Sequence, residues 1–165
     1  MINKLTSNLY SESSQILIDF LYQFNKGTKN QFFTSNNFAL YKSDFIDNNG
    51  FDINFETSAG EDREFCVRLN HKDIKLIYNP LLSIKHTHYL TISTFFKLHF
   101  KYGKAALTYK QKTSDYNLTM SKYYFYKGLF SYPFKQKRLT KIIQLRVCYL
   151  LFLSQVAVLV GFIRK

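Results

Sequence analysis

The sequence has no tryptophan, two cysteines, two prolines and six glycines in 165 residues. Each scarcity excludes something. Cys66 and Cys148 alone make no disulfide framework and no cysteine-rich metal site. So little glycine and proline excludes a collagen-like chain or a flexible linker. Gly27, Gly50, Gly60, Gly103, Gly128 and Gly161 cannot be arranged as GxxxxGK[ST] or GxGxxG, so neither phosphate cradle is present. No apolar run follows Lys4, so the N-terminus does not read as a signal peptide. Acid is nearly missing from one end. Residues 101–165 carry thirteen Lys/Arg and one acid, Asp115, whereas residues 1–100 carry ten of each sign.

What is present is apolar and aromatic. At 46% hydrophobic and 18% aromatic residues, the chain can bury a core of single-domain size. Disorder throughout is excluded. The whole net charge of +12 sits in the C-terminal third, which points to a polyanionic partner. Residues 147–163 hold no charge, and only Ser154 and Gln155 among them are strongly polar. As a helix they reach roughly 25 Å, the short limit for crossing a bilayer. Lys141 and Arg146 precede this run, and Arg164 and Lys165 follow it. A buried core helix is the plain alternative, but the basic flanks favour an inserted or interfacial segment. Cations at both ends leave its orientation unread. Nucleic acid would explain the charge, and Lys122-Tyr123-Tyr124-Phe125-Tyr126-Lys127 could stack on bases. An anionic membrane surface explains the charge and the apolar run together, so nucleic acid is set aside.

Apolar periodicity predicts a helix over 14–26, capped by Ser13 or Ser14 and stopped at Gly27, with Ile16, Leu17, Phe20, Leu21 and Phe24 inward. Residues 31–35 and 38–41 read as strands around Asn36-Asn37. Residues 42–47 read as one helical turn capped by Ser43, and 51–60 as a loop. A helix is expected over 61–71, then strands at 75–78 and 81–85 around Asn79-Pro80, then a helix over 92–109. Helices should dominate from about residue 120. The domain reading is 1–110, a basic tyrosine-rich connector at 111–140, and an apolar membrane-associated helix at 141–165. The glycosylation sequon Asn117-Leu118-Thr119 is set aside for want of a signal peptide.

Two clusters carry chemistry. Gly60-Glu61-Asp62 puts carboxylates at a helix start, where backbone amides can hold one rigidly as a proton acceptor. The same residues serve equally as a helix cap. His86 and His88 are alternate residues after a strand, so their imidazoles share a face and suit a metal. Surface or capping roles are the alternative. Cys66 reads as core.

Taken in order, the pieces are Asn36-Asn37-Phe38-Ala39-Leu40, Asp44-Phe45-Ile46, Asn49-Gly50-Phe51-Asp52, Gly60-Glu61-Asp62-Arg63-Glu64-Phe65, Arg68-Leu69, Tyr78-Asn79-Pro80, His86-Thr87-His88, Thr91 and Tyr102-Gly103-Lys104-Ala105. This series resembles the C-terminal half of family 2 glycosyltransferases, which have the GT-A fold. It covers roughly residues 32–105. The resemblance implies an α/β fold, or α+β as an isolated fragment. It implies transfer of a sugar, with inversion, from a nucleotide-sugar to a glycan or lipid-linked acceptor at the cytoplasmic membrane face. Asp62 would be the general base and Glu61 its neighbour. Asn36, Asn37 and Arg63 would line the substrate side. His86, or His88 instead, would complete the shell of a divalent metal, Mg²⁺ or Mn²⁺. The sequence departs from the family in two places. Asn49-Gly50 stands for the usual Gly-Gly, and Asn also tolerates positive φ. No Asp-x-Asp occurs anywhere. One histidine does not hold a hard cation. The expectation is therefore a truncated or split chain, with little turnover alone and a partner chain carrying the missing half. The alternative is a non-catalytic remnant or accessory membrane-binding subunit.

Overall fold

The computed structural model describes residues 2–55, 59–79, 81–116, 118 and 120–164. Pro80 of the expected turn, Asn117 and Thr119 of the sequon, part of the 51–60 loop, and Lys165 lie outside the described residues. The described chain is mostly helical with one small sheet. In order come β1 (Ile2–Asn3), α1 (Leu9–Asn25), α2 (Lys42–Asp47), α3 (Glu61–His71), β2 (Lys85–His86), α4 (Ile92–Lys112), α5 (Lys122–Ser131) and α6 (Lys141–Ile163).

The helices follow the periodicity. Ile16, Leu17 and Phe20 of α1 are buried, and Leu21 and Phe24 pack beside them. Gly27, at φ 73°, follows the end of α1 as expected. The start is a correction. The cap is Asn8, whose Oδ1 accepts from Ser11 N at 2.9 Å, and not Ser13 or Ser14. Those serines lie buried inside the helix, and Ser13 Oγ donates to Leu9 O at 2.7 Å. The polar first turn hid the boundary from an apolar pattern. The cap of α2 is likewise Tyr41 and not Ser43. α3 has the expected bounds, and α4 runs three residues past its expected end.

The strands are the larger correction. β1 pairs with β2 in parallel, Ile2 opposite Lys85 and Asn3 opposite His86, and this is the one sheet among the described residues. The stretches 31–35, 38–41 and 75–78 form no ladder, only Lys85 of the expected 81–85 strand lies in one, and residues 35–37 make a 3₁₀ turn. Side chains satisfy their backbone in place of a neighbouring strand. Phe33 N–H donates to Cys66 Sγ, Thr34 N–H to Tyr22 Oη and Ser35 N–H to Asp62 Oδ2. Gln31 Nε2 donates to Leu76 O, and Asn70 Nδ2 to Gln31 O. Buried backbone groups need partners, and these residues found non-strand ones. Their β propensity therefore had no sheet to join.

Two apolar clusters organise the helices. Ile16, Leu17 and Phe20 of α1 meet Leu129 of α5 and Val147 and Leu151 of α6. Burying a side chain of this size contributes about 2 kcal/mol. The basic tyrosine-rich stretch 111–140 thus holds a helix that is anchored in the core by fully buried Leu129. Leu90, Phe95 and Leu150 form the second cluster. Further along, α4 and α6 touch backbone to backbone. A Cβ on Gly103 would fall far inside contact with the Val158 carbonyl, and one on Gly161 would lie 3.2 Å from Gly103 Cα. Glycine at both positions lets the two helices approach this closely.

Candidate functional site

The candidate site grows from the start of α3. Gly60 caps it at φ 93°, a left-handed conformation that glycine adopts without strain. Glu61, Asp62 and Glu64 occupy the first turn, where carboxylates meet the positive end of the helix dipole. Asp62 Oδ2 accepts from Ser35 N–H at 3.0 Å, and Oδ1 accepts from Arg63 N–H at 2.7 Å. Two amides from different segments therefore fix this carboxylate. Each oxygen keeps a lone pair for another donor. Glu61 is half-buried, and its Oε2 is buried without a hydrogen-bond partner.

The same helix locks the preceding turn. Arg68 pairs with Glu64 at 2.8 Å, and its guanidinium also donates to Gly50 O at 2.8 Å and to Asn48 O. Glu64 holds the guanidinium in its charged form, raising its pKa. Asn49 and Gly50 sit at φ 58° and 55°, so asparagine does take the left-handed role expected for it. A Cβ on Gly50 would press into the Phe45 ring at 2.8 Å. Phe45, Phe51 and Phe65 pack edge to face beneath, with centroids 5.3 to 5.5 Å apart.

A cleft of about 560 Å³ opens beside α3, and Asn37, Asp44, Tyr22, Phe33, Cys66 and Tyr78 are on its walls. Tyr22, Phe33 and Tyr78 also wall a second hollow of about 310 Å³, with Asp19 and Lys26. Phe33 and Tyr78 stack at 6.4 Å. Burial raises the Tyr22 phenol, and Asp62 adds to the shift. Burial, followed by the Asp62 charge, pushes Tyr102 up to about 12. Residues 34 and 35 link Asp62 to Tyr22, since the Thr34 amide donates to Tyr22 Oη and the Ser35 amide to Asp62 Oδ2. Asp62, Glu61, Asn36 and Arg63 themselves are not on the walls of either hollow. Cys66 is one turn on from Asp62, and burial pushes its thiol up to about 11. A protonated thiol so placed is core, as the sequence indicated.

The other expected residues are spread out. Asn37 lines the cleft and donates to Leu82 O at 3.4 Å. Asn36 is exposed and accepts from Thr34 Oγ1 at 2.7 Å. Arg63 lies between two rings, 5.2 Å from the centroid of Phe32 and 4.7 Å from that of Tyr109. His86 and His88 do come together, with ring centroids 5.9 Å apart. Burial, then the His86 charge, lowers His88. No group of three or more His, Cys, Asp or Glu able to hold a metal occurs among the described residues. Two imidazoles without carboxylate oxygens do not fit a hard divalent cation.

The sequence reading placed Asp44, Arg68 and Tyr78 in its motif series without a role, and it passed over Tyr22, Phe33 and the wall they form with Tyr78. Arg68 had a signal, the Glu64-to-Arg68 spacing of four. The aromatic wall had none, because its members come from three separate segments.

The model of the family described as the N-terminal domain of galactosyltransferase matches residues 18–102. The chain belongs to this family. The matched span takes in Asn36, Asn37, Glu61, Asp62, Arg63, His86 and His88, whereas Tyr109, beside Arg63, lies beyond it. It is a glycosyltransferase-related domain, so a sugar donor and an acceptor are its general substrates. No curated protein and no solved structure matches the chain.

Proposed function

We propose that this galactosyltransferase-family chain is the acceptor side of an inverting, family 2-type glycosyltransferase with a GT-A-like fold. The observation that carries the reading is the Asp62 carboxylate, pinned by two backbone amides within the matched span. In this reading an acceptor hydroxyl of a glycan or lipid-linked sugar donates its proton to Asp62. Its oxygen forms a bond to the anomeric carbon of a nucleotide-sugar on the face opposite the leaving group. The bond from that carbon to the nucleoside diphosphate breaks, and the diphosphate departs with the electron pair. Inversion follows from the single displacement. Asn37 and the Tyr22–Phe33–Tyr78 wall hold the acceptor, while Glu61 and Asn36, off that wall, are neighbours in sequence of Asp62 and of the Ser35 that ties it. Arg63, buttressed by Phe32 and Tyr109, keeps the α3 turn in place and offers positive charge near the site.

The chain has no Asp-x-Asp, and the described residues offer no three-ligand cluster. No step is therefore routed through a metal, and His86 and His88 are not given one to hold. The same observation favours a second reading, an accessory subunit that binds acceptor and membrane without catalysis.

The experiment that separates them uses the protein purified from its own cells with whatever accompanies it. Transfer of labelled sugar from nucleotide-sugars to membrane acceptors is measured for the natural protein and for Asp62→Asn. A general base contributes about 10²- to 10⁴-fold, and the variant should lose that much in kcat with KM little changed. Equal rates for both would refute the base assignment and leave the accessory reading.

A further inference from the structure

α6 is long and apolar enough to cross a membrane, and it carries no acid. Its inward face, Val147, Leu151, Ser154, Ala157 and Gly161, is buried against the other helices. The opposite face is not covered. Leu145, Tyr149, Phe152, Val156, Leu159 and Ile163 recur every three or four residues and are 43% to 70% exposed. They form one apolar stripe along the helix.

The neighbour of α6 decides how this stripe can meet a bilayer. Phe95 of α4 clusters with Leu150, and Gly103 lies against Val158 and Phe162. Both sequences therefore ascend together, and the two helices run parallel in backbone contact. Lys97, Lys101 and Lys104 then stand at the level of the middle of the apolar run, and Lys97 and Lys104 are exposed. They lie on the side of α4 turned away from Phe95, His99 and Gly103, hence away from α6. If α6 crossed the bilayer, α4 would go with it and carry three ammonium groups to mid-depth.

From this geometry we propose that α6 lies flat in the headgroup–acyl boundary of an anionic membrane, stripe down, and does not span it. α4 then stands above α6 with its lysines in water. Exposed Lys141, Arg146 and Arg164 sit at the level of the lipid phosphates. Charge complementarity selects an anionic bilayer as the occupant, because Lys141, Arg146 and Arg164 flank the stripe and α6 carries no acid. The inference rests on the membrane-side placement assumed for the transferase, and it fixes the pose.

The absence of tryptophan makes the test direct. Leu145→Trp, Phe152→Trp and Leu159→Trp each place a single fluorophore on the stripe, spread over about 21 Å of helix. The full chain is mixed with phosphatidylcholine vesicles holding 30% phosphatidylglycerol, brominated at a shallow or a deep acyl position. A flat helix gives a blue shift and equal, predominantly shallow quenching at all three sites. Binding should fall at least tenfold in pure phosphatidylcholine and in 1 M salt, and carbonate should strip the protein. Graded quenching with Phe152→Trp deepest, and resistance to carbonate, would mean a spanning helix and overturn the pose while leaving membrane placement intact. No binding to vesicles, with a concentration-dependent dimer abolished by Phe152→Glu, would assign the stripe to a second copy and remove the membrane placement as well.

Discussion

The segment between α1 and α4 and the pair formed by α4 and α6 are built in opposite ways. The first holds only short regular elements, and its backbone is tied down by single side chains. Tyr22, Cys66, Asp62, Asn70 and Arg68 each take backbone groups from a distant stretch. The second has two helices of 21 and 23 residues, joined by apolar contact and by two glycines. Polar ties fix a loop at one point each, so they can shape a cleft that no regular lattice would produce. Glycine contact fixes two long rods along a line and presents their outer faces, apolar on α6 and basic on α4. The site and its support can thus be broken separately.

The largest effect is expected at the support. Gly103→Val puts a branched side chain into the Val158 carbonyl, with backbone on both sides and no flexible atom to yield. The helices must separate, and the second apolar cluster goes with them. A loss of about 4 kcal/mol or more is expected in urea unfolding, enough to abolish folding in many domains. Gly103→Ala should show the same sign and a smaller loss. A neutral Gly103→Val would show that the helix contact is not needed. The helix pair also sets the membrane argument. Each lysine carried to mid-bilayer costs about 3 kcal/mol, so separating α4 from α6 would remove the bar to spanning.

The turn clamp comes next. Arg68→Ala leaves Glu64, 5% exposed, without its partner and frees the Asn48 and Gly50 carbonyls. Breaking one side of such a buried pair costs about 3 kcal/mol. Arg68→Lys restores the charge but not the fork, and should recover less than half. Because the clamp belongs to the site, transferase activity should fall below what the stability loss alone explains. α6 contacts and vesicle binding should be untouched, which separates the two regions in one variant.

This contrast also explains what could be read in advance. Helices with an apolar stripe were legible, and α3 began where Gly60 and three acids said it would. Residues 31–41 misled because short aromatic stretches such as Phe32-Phe33-Thr34 look like strands, and strands are decided by partners elsewhere. His86 and His88 come close although β2 ends at His86, so a strand period of two does not account for it. The Glu64–Arg68 pair had a local period of four, but the reach of Arg68 to Asn48 and Gly50 and the aromatic wall are meetings of separate segments that no local pattern encodes. Gly103 and Gly161 read as isolated glycines until packing brought them face to face.

The smallest effect is a pH dependence in the support region. His99 is fully buried on α4 between Phe95 and Tyr102, and both ring nitrogens lack hydrogen-bond partners. Burial pushes its pKa from the ordinary 6.5 down to about 4. The folded state therefore refuses a proton that the unfolded chain accepts between those two values. The sign is fixed by linkage: the unfolded state binds more protons as pH falls below 6.5, so stability drops there and levels off near 4. At pH 5 the loss is about 2 kcal/mol relative to pH 8. His99→Leu should remove this part of the acid sensitivity, since a leucine occupies the apolar gap without a titrating group. Unfolding of both proteins at pH 8, 6 and 5 measures the difference. A gap between them that stays constant over that range would mean that His99 is charged or solvated in the folded protein, and that the α4–α6 contact is wetter than the apolar packing implies. The cleft segment should be indifferent to this substitution, because no side chain of its ties reaches His99.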